Sequence, residues 1–585
     1  VFITAFIAFG PTVGNQFVAW DDDVTLVENE QFRGLSPNHL AWMFATFHTG
    51  HWQPLSWVTF AINAKVADTL YGDPIDPRPY HFTNNLLHAV NALLLYLLAL
   101  RLLARNQPSK HGSGTVATVI GAATAALLFA LHPLRVESVA WATERRDVLS
   151  ASFFLGTLLA YLRAVSSPPP SQSRLWKGIA LMLMGLCILS KSIGVVLPAV
   201  MLVLDAYPLR RLVLSRRELL SRVNLQVVLE KWPFIVLSLA GSFAAIVAQR
   251  SAGAMFAAEQ LGPEHRLYVM AHGFAMYVVK TLVPWNLCPL YEIPYNFSLG
   301  DRSFLLSAAL LLAISAGAWA LPKRWPAFTA VWCVYVILVL PVSGLLQSGP
   351  QVAADRYSYL SCMGFAILAG AALTIVLDRS TKSPVMRPVA ILACLVASAI
   401  TASLWILTVR QIRVWRDTFT LWNTVIAMRP QTSLAHMNRG VAYVRINDLP
   451  RAQIDLERAV DLWPTDPTAL RNLANVLSTR GDFANAEHYA RRAVEADAEM
   501  AEARLELGFA LLQLDRIDEA VEQFRAAFRL DPATWPRYRL LIEGLAARGR
   551  KPQAIQLAEE AVREHPELAE AQALLVQLTA NPGNP

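Results

Sequence analysis

The sequence predicts an all-α protein in two parts: a polytopic membrane helix bundle of about eleven spans, then a helical-repeat solenoid. Three observations predict it. Residues 1–409 hold nearly all the long apolar runs, and a spanning helix needs roughly 20 such residues. Residues 410–585 turn charged and amphipathic. Within that second part, alanine and proline recur every 34 residues. The totals agree: 585 residues, 54% hydrophobic, with a mean hydropathy of +0.36, are too apolar for an ordinary soluble protein. The net charge of +7 is modest and sits in a few loops, which fits membrane orientation and not nucleic-acid binding. Cys187, Cys288, Cys333, Cys362 and Cys394 show no pairing or ligand spacing, so neither disulfides nor a zinc site is indicated. No nucleotide-binding motif occurs, and no cofactor or metal is expected.

Candidate spans are 1–16, 84–104, 116–133, 138–163, 176–190, 193–207, 231–249, 302–321, 325–343, 357–377 and 388–409, with 267–284 ambiguous. The chain starts at Val1, and its first helix is expected to be truncated there. Arg210, Arg211, Arg216, Arg217 and Arg222 form the densest basic loop, which assigns it to the cytoplasm. Counting back places the Arg105–Lys110 and Arg163–Lys177 loops inside and Asp21–Asp23 outside. Counting forward keeps Lys323-Arg324 and Arg379–Arg387 inside only if 267–284 does not cross cleanly. Everything after 409 then lies outside.

The outer side collects the polar residues. Asp21, Asp22 and Asp23 follow directly on the first apolar run. Adjacent carboxylates repel, and nearby lipid raises their pKa further. A bland helix stop with solvated acids is an even alternative. The outer loop 17–83 carries His51 and His81. His81, Asn84 and His88 share one helical face, which reads more readily as a polar seam between helices than as a metal site. His132, Glu137, Glu144 and Arg145 follow, in a segment where charge is costly and turns toward a bundle interior. An ion-pair network is the plain reading for some of them. Lys191 and Arg356 add isolated cations on the same side. Acids for proton abstraction with cations for a phosphate are the parts of a group-transfer site.

The repeats are explicit. Ala452, Ala486, Ala520 and Ala554 are evenly spaced, as are Ala459, Ala493, Ala527 and Ala561. Pro430, Pro464, Pro532 and Pro566 mark repeat ends, with Ala498 in the remaining slot. Gly440, Ala474 and Gly508 supply a small residue that Ile542 replaces. This is a tetratricopeptide (TPR) array: connector and half-repeat 410–432 containing Trp422, four repeats over 433–568, capping helix and tail 569–585. Asn438 and Asn472 occupy matching positions and are candidates to bond an extended peptide. A solvated helix face is the more ordinary expectation.

Several stretches carry a family resemblance. They are Phe17-Val18-Ala19-Trp20-Asp21-Asp22-Asp23, Tyr80-His81-Phe82-Thr83-Asn84-Asn85, Leu131-His132-Pro133-Leu134-Arg135-Val136-Glu137, Arg145-Arg146-Asp147, Ala354-Asp355-Arg356-Tyr357, and the Trp415 segment before the repeats. With these the sequence resembles the transmembrane-and-TPR (TMTC-like) proteins of the GT-C glycosyltransferase superfamily, bacterial members especially. The resemblance implies a GT-C-type membrane domain at 1–409 and an inverting O-glycosyltransferase. Its donor would be a polyprenyl-phosphate sugar, mannose among the candidates, and its acceptor a hydroxyl on a protein or glycan. It implies Asp21 and Asp22 as the catalytic acid pair and Lys191 and Arg356 as donor-phosphate ligands. Asp23, His51, His81, Asn84, His88, His132, Glu137 and Arg145 are then substrate-site candidates. The expected place is a bacterial inner membrane, with site and repeats extracytoplasmic and the repeats recruiting the acceptor or a partner. A non-enzymatic TPR scaffold and a lipid-linked sugar transporter are the alternatives.

Overall fold

A computed structural model describes residues 1–105, 116–167, 169–213, 218, 221–251, 262–293, 298–344 and 351–580. Arg216, Arg217, residues 106–110 of the basic loop ending at Lys110, and tail residues 581–585 lie outside the described residues. The chain forms two compact units, 1–424 and 425–585.

In the first unit, seven helices among the described residues are long and apolar enough to cross a membrane. They are Pro77–Arg105, Ala142–Ser166, Pro170–Ser190, Trp232–Ser251, Arg302–Ala320, Met363–Lys382 and Pro384–Trp415. The Val116–Ala130 and Pro133–Ala140 helices make an eighth if counted as one span bent by 56°. Phe2–Gly14, Ser192–Ala206 and Pro326–Val342 are apolar but shorter. The protein is therefore a multi-pass membrane protein, and the expected eleven segments separate into full, bent and short ones. The Pro263–Leu282 helix has 20 residues but is not among the seven.

Three boundaries differ from expectation. The helix expected from 84 begins at Pro77, where the fixed φ of proline suits a first turn. His81 therefore lies in a helix, and the loop before it holds two helices of its own, Pro37–Ala45 and Pro54–Tyr71. The helix expected over 138–163 is broken at Trp141, whose backbone is extended. Side chains add to the backbone bonds that remain there. Asn84 donates to the carbonyls of Val139, Trp141 and Ala142 at 3.3, 3.2 and 3.4 Å, and Asp22 accepts from the Thr143 amide at 3.0 Å. The helix expected from 357 starts at Met363, after a 3-10 turn at Asp355–Tyr357 and a short helix at Ser358–Ser361.

The second unit stacks four helix pairs. These are Ser433–Arg445 with Leu449–Leu462, Pro467–Thr479 with Phe483–Ala496, Ala501–Gln513 with Ile517–Leu530, and Trp535–Ala547 with Lys551–Glu564. The Ala569–Thr579 helix follows. The recurring alanines are buried where paired helices meet. Each turn inside a pair needs one residue at positive φ: Asn447, Gly481, Asp515 and Gly549. These residue types tolerate that region best, and they too recur every 34 residues.

Val116–Ala130 and Met363–Lys382 approach closely at Gly121 and Gly370. A Cβ on Gly121 would sit 2.5 Å from the Gly370 carbonyl oxygen, and one on Gly370 would press on the Gly121 carbonyl and lie 2.8 Å from Ala125 Cβ. Such small residues let membrane helices pack backbone to backbone. Gly370→Ala should destabilise the detergent-solubilised protein by about 1–3 kcal/mol, read as a lower melting temperature. Gly317→Ala, at a helical glycine with open space around it, should not lower it.

Candidate functional site

The break at Trp141 creates the site. Ending one helix and starting another turns Glu137, Glu144, Arg146 and Asp147 toward a common centre, to which Arg356 and Lys191 come from elsewhere. Arg356 pairs with Glu137 through its guanidinium and lies 3.3 Å from Glu144. Its backbone amide also donates to Glu137, at 3.2 Å. Arg146 binds Glu144 with two N–H groups, at 2.6 and 3.2 Å. Lys191 pairs with Asp147 and lies 3.7 Å from Glu144. Ser138 donates to the second Asp147 oxygen at 3.0 Å.

Aromatic rings frame the cations. The Arg356 guanidinium lies 5.3 Å from the Trp141 ring and 4.9 Å from Tyr357, and the Lys191 ammonium is 5.9 Å from Tyr357. Lys191 follows directly on the Pro170–Ser190 helix in an extended conformation and keeps 21% of its side chain exposed, whereas Glu144 is wholly buried. A cleft of about 580 Å³ opens beside this cluster, lined by Asp147, Ser150, Lys191, Ser192, Arg356 and Tyr357 and by the apolar Leu338, Pro341 and Val342. An apolar groove of about 740 Å³ lies next along the same walls, lined by Leu98, Leu158, Val200, Val331, Val334, Met363 and Ile367. The helix carrying Val331 and Val334 continues to Leu338, and Met363 follows shortly on Leu360 of the cleft.

The two aspartates separate. Asp22 is fully buried, and each of its oxygens accepts a backbone amide at 3.0 Å, one from Val18 and one from Thr143. Burial raises its carboxyl to about 7, against the pull of those two amides. Asp21 receives no side-chain hydrogen bond among the described residues. Its carboxyl is also raised by burial, opposed by Arg146 and Arg356 and reinforced by Glu144. His51 feels the same cluster: burial, then Arg146, holds its pKa well below the ordinary value, so it is neutral. Asp23 starts the short π-helix Asp23–Val27.

Asp21, His51, Glu137, Lys191 and Arg356 therefore converge as the sequence suggested. Five other candidates do not join them. Arg145 points away and braces the fold: it binds Asn84 through Nε, Thr59 at 3.2 Å and the Tyr80 carbonyl at 2.8 Å. Asn84 is committed to the broken backbone. His81 is enclosed and tilted against Phe17. His88 bonds Tyr359 at 2.7 Å and the Ala130 carbonyl at 3.0 Å, a polar seam between helices. His132 caps the turn before Glu137, accepting from the Leu134 amide at 3.3 Å and meeting the Thr281 carbonyl at 3.1 Å. Glu144, Arg146 and Asp147 stand outside the substrate-site candidates that the resemblance implies. Their signal was the run Glu144-Arg145-Arg146-Asp147 itself, three of whose four charges face the cluster. Among the repeats, Asn438 and Asn472 are half-buried at equivalent positions of successive helices.

Tetratricopeptide-repeat family models match residues 420–467 and 477–545. Mouse protein O-mannosyl-transferase TMTC3 is 24% identical over 555 residues, covering 82% of this chain and 57% of the relative. Mouse protein O-mannosyl-transferase TMTC4 is 25% identical over 485 residues, covering 74% and 62%. A frog relative, protein O-mannosyl-transferase tmtc2 of Xenopus laevis, reaches 31% over a shorter stretch of 215 residues, 35% of this chain and 23% of its own length. The chain thus spans less than two thirds of the length of these relatives. Apolar helices leading into tetratricopeptide repeats, with likeness along most of the chain to these proteins, make it a TMTC-like TPR membrane protein.

Proposed function

We propose that the protein is an inverting O-glycosyltransferase that moves a sugar from a polyprenyl-phosphate donor to a hydroxyl of a protein or glycan. The observation that carries the reading is the division of the acid pair. Asp22 is tied to backbone amides, while Asp21 keeps its carboxylate unbonded within the field of Arg146, Glu144 and Arg356. Asp21 takes the proton of the acceptor hydroxyl as its oxygen attacks the anomeric carbon. The bond from that carbon to the phosphate oxygen breaks, and the leaving lipid phosphate keeps the electron pair. Lys191 and Arg356 hold that phosphate, and preorganised cations in a closed site are worth most where charge develops. The apolar groove takes the lipid chain, which supports a lipid-borne donor over a free sugar nucleotide. The relatives' names as O-mannosyl-transferases favour mannose, and the repeats serve acceptor or partner recruitment. The site lies on the extracytoplasmic side of a bacterial inner membrane.

The test is transfer by the membrane-reconstituted full chain, with radiolabelled polyprenyl-phosphate sugars and an envelope extract. Label should pass to an acceptor with wild type and not with Asp21→Asn, whose melting temperature stays near wild type. Normal turnover in Asp21→Asn would sink the assignment, and no transfer from any donor would shift weight to a scaffold. Asp22→Asn should behave differently. An amide there can accept only one of the two buried N–H groups and turns its own NH2 on the other, a cost of about 1–3 kcal/mol in stability. Lys191→Gln should lower kcat about 100-fold. A base must be unprotonated to act, and burial raises Asp21 above the ordinary carboxylate value. Activity should therefore fall as pH drops through a value above the usual carboxylate range, and the Asp21→Asn residual rate should lack that limb.

A further inference from the structure

We propose that the segment Trp415–Trp422 is a positioning clamp for the Asp21 carboxylate. The inference rests on the reading of Asp21 as the base and goes beyond it by naming what holds that base in place. Asp21 sits in a loop, where backbone is ordinarily free to move. Here the backbone before it is held on two sides. From one side, Asp22 accepts the Val18 amide. From the other, the Gln16 amide donates to the Arg416 carbonyl at 2.8 Å and the Ala19 amide to Thr418 Oγ1 at 2.9 Å. Trp422 Nε1 donates back to the Ala19 carbonyl at 3.3 Å. Ala19, two residues from the base, thus has both backbone groups bonded to the segment 418–422.

Ring stacking fixes the next residue. Trp20 lies against Trp141 with centroids 4.7 Å apart, against Trp422 at 5.1 Å and parallel to Trp415 at 6.4 Å. Trp415 and Trp422 are themselves buried. Trp141 belongs to the chain break that builds the cation cluster and faces the Arg356 guanidinium. One aromatic stack therefore sets the distance between the loop of the base and the frame of the phosphate ligands. Thr418 and Trp422 bond to Ala19 and not to the cations. Loosening them displaces the base and leaves the donor site intact. A displacement of about 1 Å of a reacting group can cost roughly 100-fold in rate.

The experiment uses the reconstituted full chain with Thr418→Val, Thr418→Ser and Trp422→Phe, the last keeping an aromatic ring but losing the indole N–H. Two readouts are taken: steady-state transfer from the radiolabelled polyprenyl-phosphate sugar, and amide exchange of the peptide spanning residues 16–24. Thr418→Val and Trp422→Phe should lower kcat about tenfold at unchanged donor KM, with exchange in that peptide several-fold faster. Thr418→Ser, which restores the acceptor oxygen, should return both to wild type. A wild-type kcat in Thr418→Val, a change confined to KM, or equal loss in Val and Ser overturns the clamp. If wild type itself transfers nothing, the reading of Asp21 as a base falls. Exchange then decides the clamp alone, and unchanged exchange in Thr418→Val and Trp422→Phe overturns it.

Discussion

The buried bridge from Arg356 to Glu137 and Glu144 is the interaction on which the site depends. Burying a guanidinium costs several kcal/mol unless its partners and hydrogen bonds are complete. Here two carboxylates and two aromatic faces supply them, and the Arg356 backbone amide donates a further bond to Glu137. Glu137 and Glu144 can both reach one guanidinium only because the helix stops at Trp141. An unbroken helix would also place residues seven apart on one face, but two turns apart along it. The break shortens that separation, and Asn84 and Asp22 stabilise it by occupying the backbone groups it frees. The cluster therefore reaches outward to the Pro77–Arg105 helix and to the acid loop.

Much of this was legible in the sequence, for identifiable reasons. Apolar length announces spanning helices, and a strict period of 34 announces the repeats, because stacked units must present the same small residues at each contact. The convergence of Asp21, Lys191 and Arg356 was legible through the count of loop charges, which expects all three on one side of the membrane. The break at Trp141 was not. Val136–Ser150 contains no proline or glycine, and what ends the helix is an asparagine about 55 residues earlier in the chain. With the break unseen, the choice between Arg145 and Arg146 could not be made. Two adjacent arginines differ by about 100° around a helix, so one joins the cluster while the other braces Asn84 and Tyr80. His88 and His132 stand apart from the cluster for a related reason. A polar side chain on a membrane helix advertises a polar partner, and for His88 and His132 that partner is a tyrosine or a backbone carbonyl.

The two units solve the burial problem differently. Repeats use alanine and glycine to bring amphipathic helices together, with Gly508 set so that a Cβ would meet the Phe524 ring at 2.7 Å. Water on the outer faces solvates their many Arg–Glu pairs, such as Arg529–Glu564 at 2.8 Å, which are worth little individually. In the membrane unit the same kinds of charge are gathered into buried networks, one joining Arg211 and Lys231 to Asp205 and Glu230 and the other lying beside the cleft. Surface pairs can be lost without consequence. Removing one member of a buried network leaves another charge without compensation, at about 3–5 kcal/mol.

The adjacency of Asp21 and Asp22 follows from this economy of charge. Successive side chains in a turn leave the backbone in different directions, so neighbouring carboxylates can serve different environments. Asp22 faces inward and joins the loop to the broken helix through two amides. Asp21 faces the cations. Two full negative charges side by side would repel in a poorly solvated place. With its carboxyl raised to about 7, Asp22 carries only part of a charge at neutral pH, which lowers that repulsion while its oxygens still accept hydrogen bonds. The tied acid thus keeps the loop in register, and the unbonded acid lies in a field where Arg146 and Arg356 oppose the rise that burial imposes on its carboxyl. A neutral residue in place of Asp22 could fill the space, but it could not accept both amides, and the register of Asp21 would go with them.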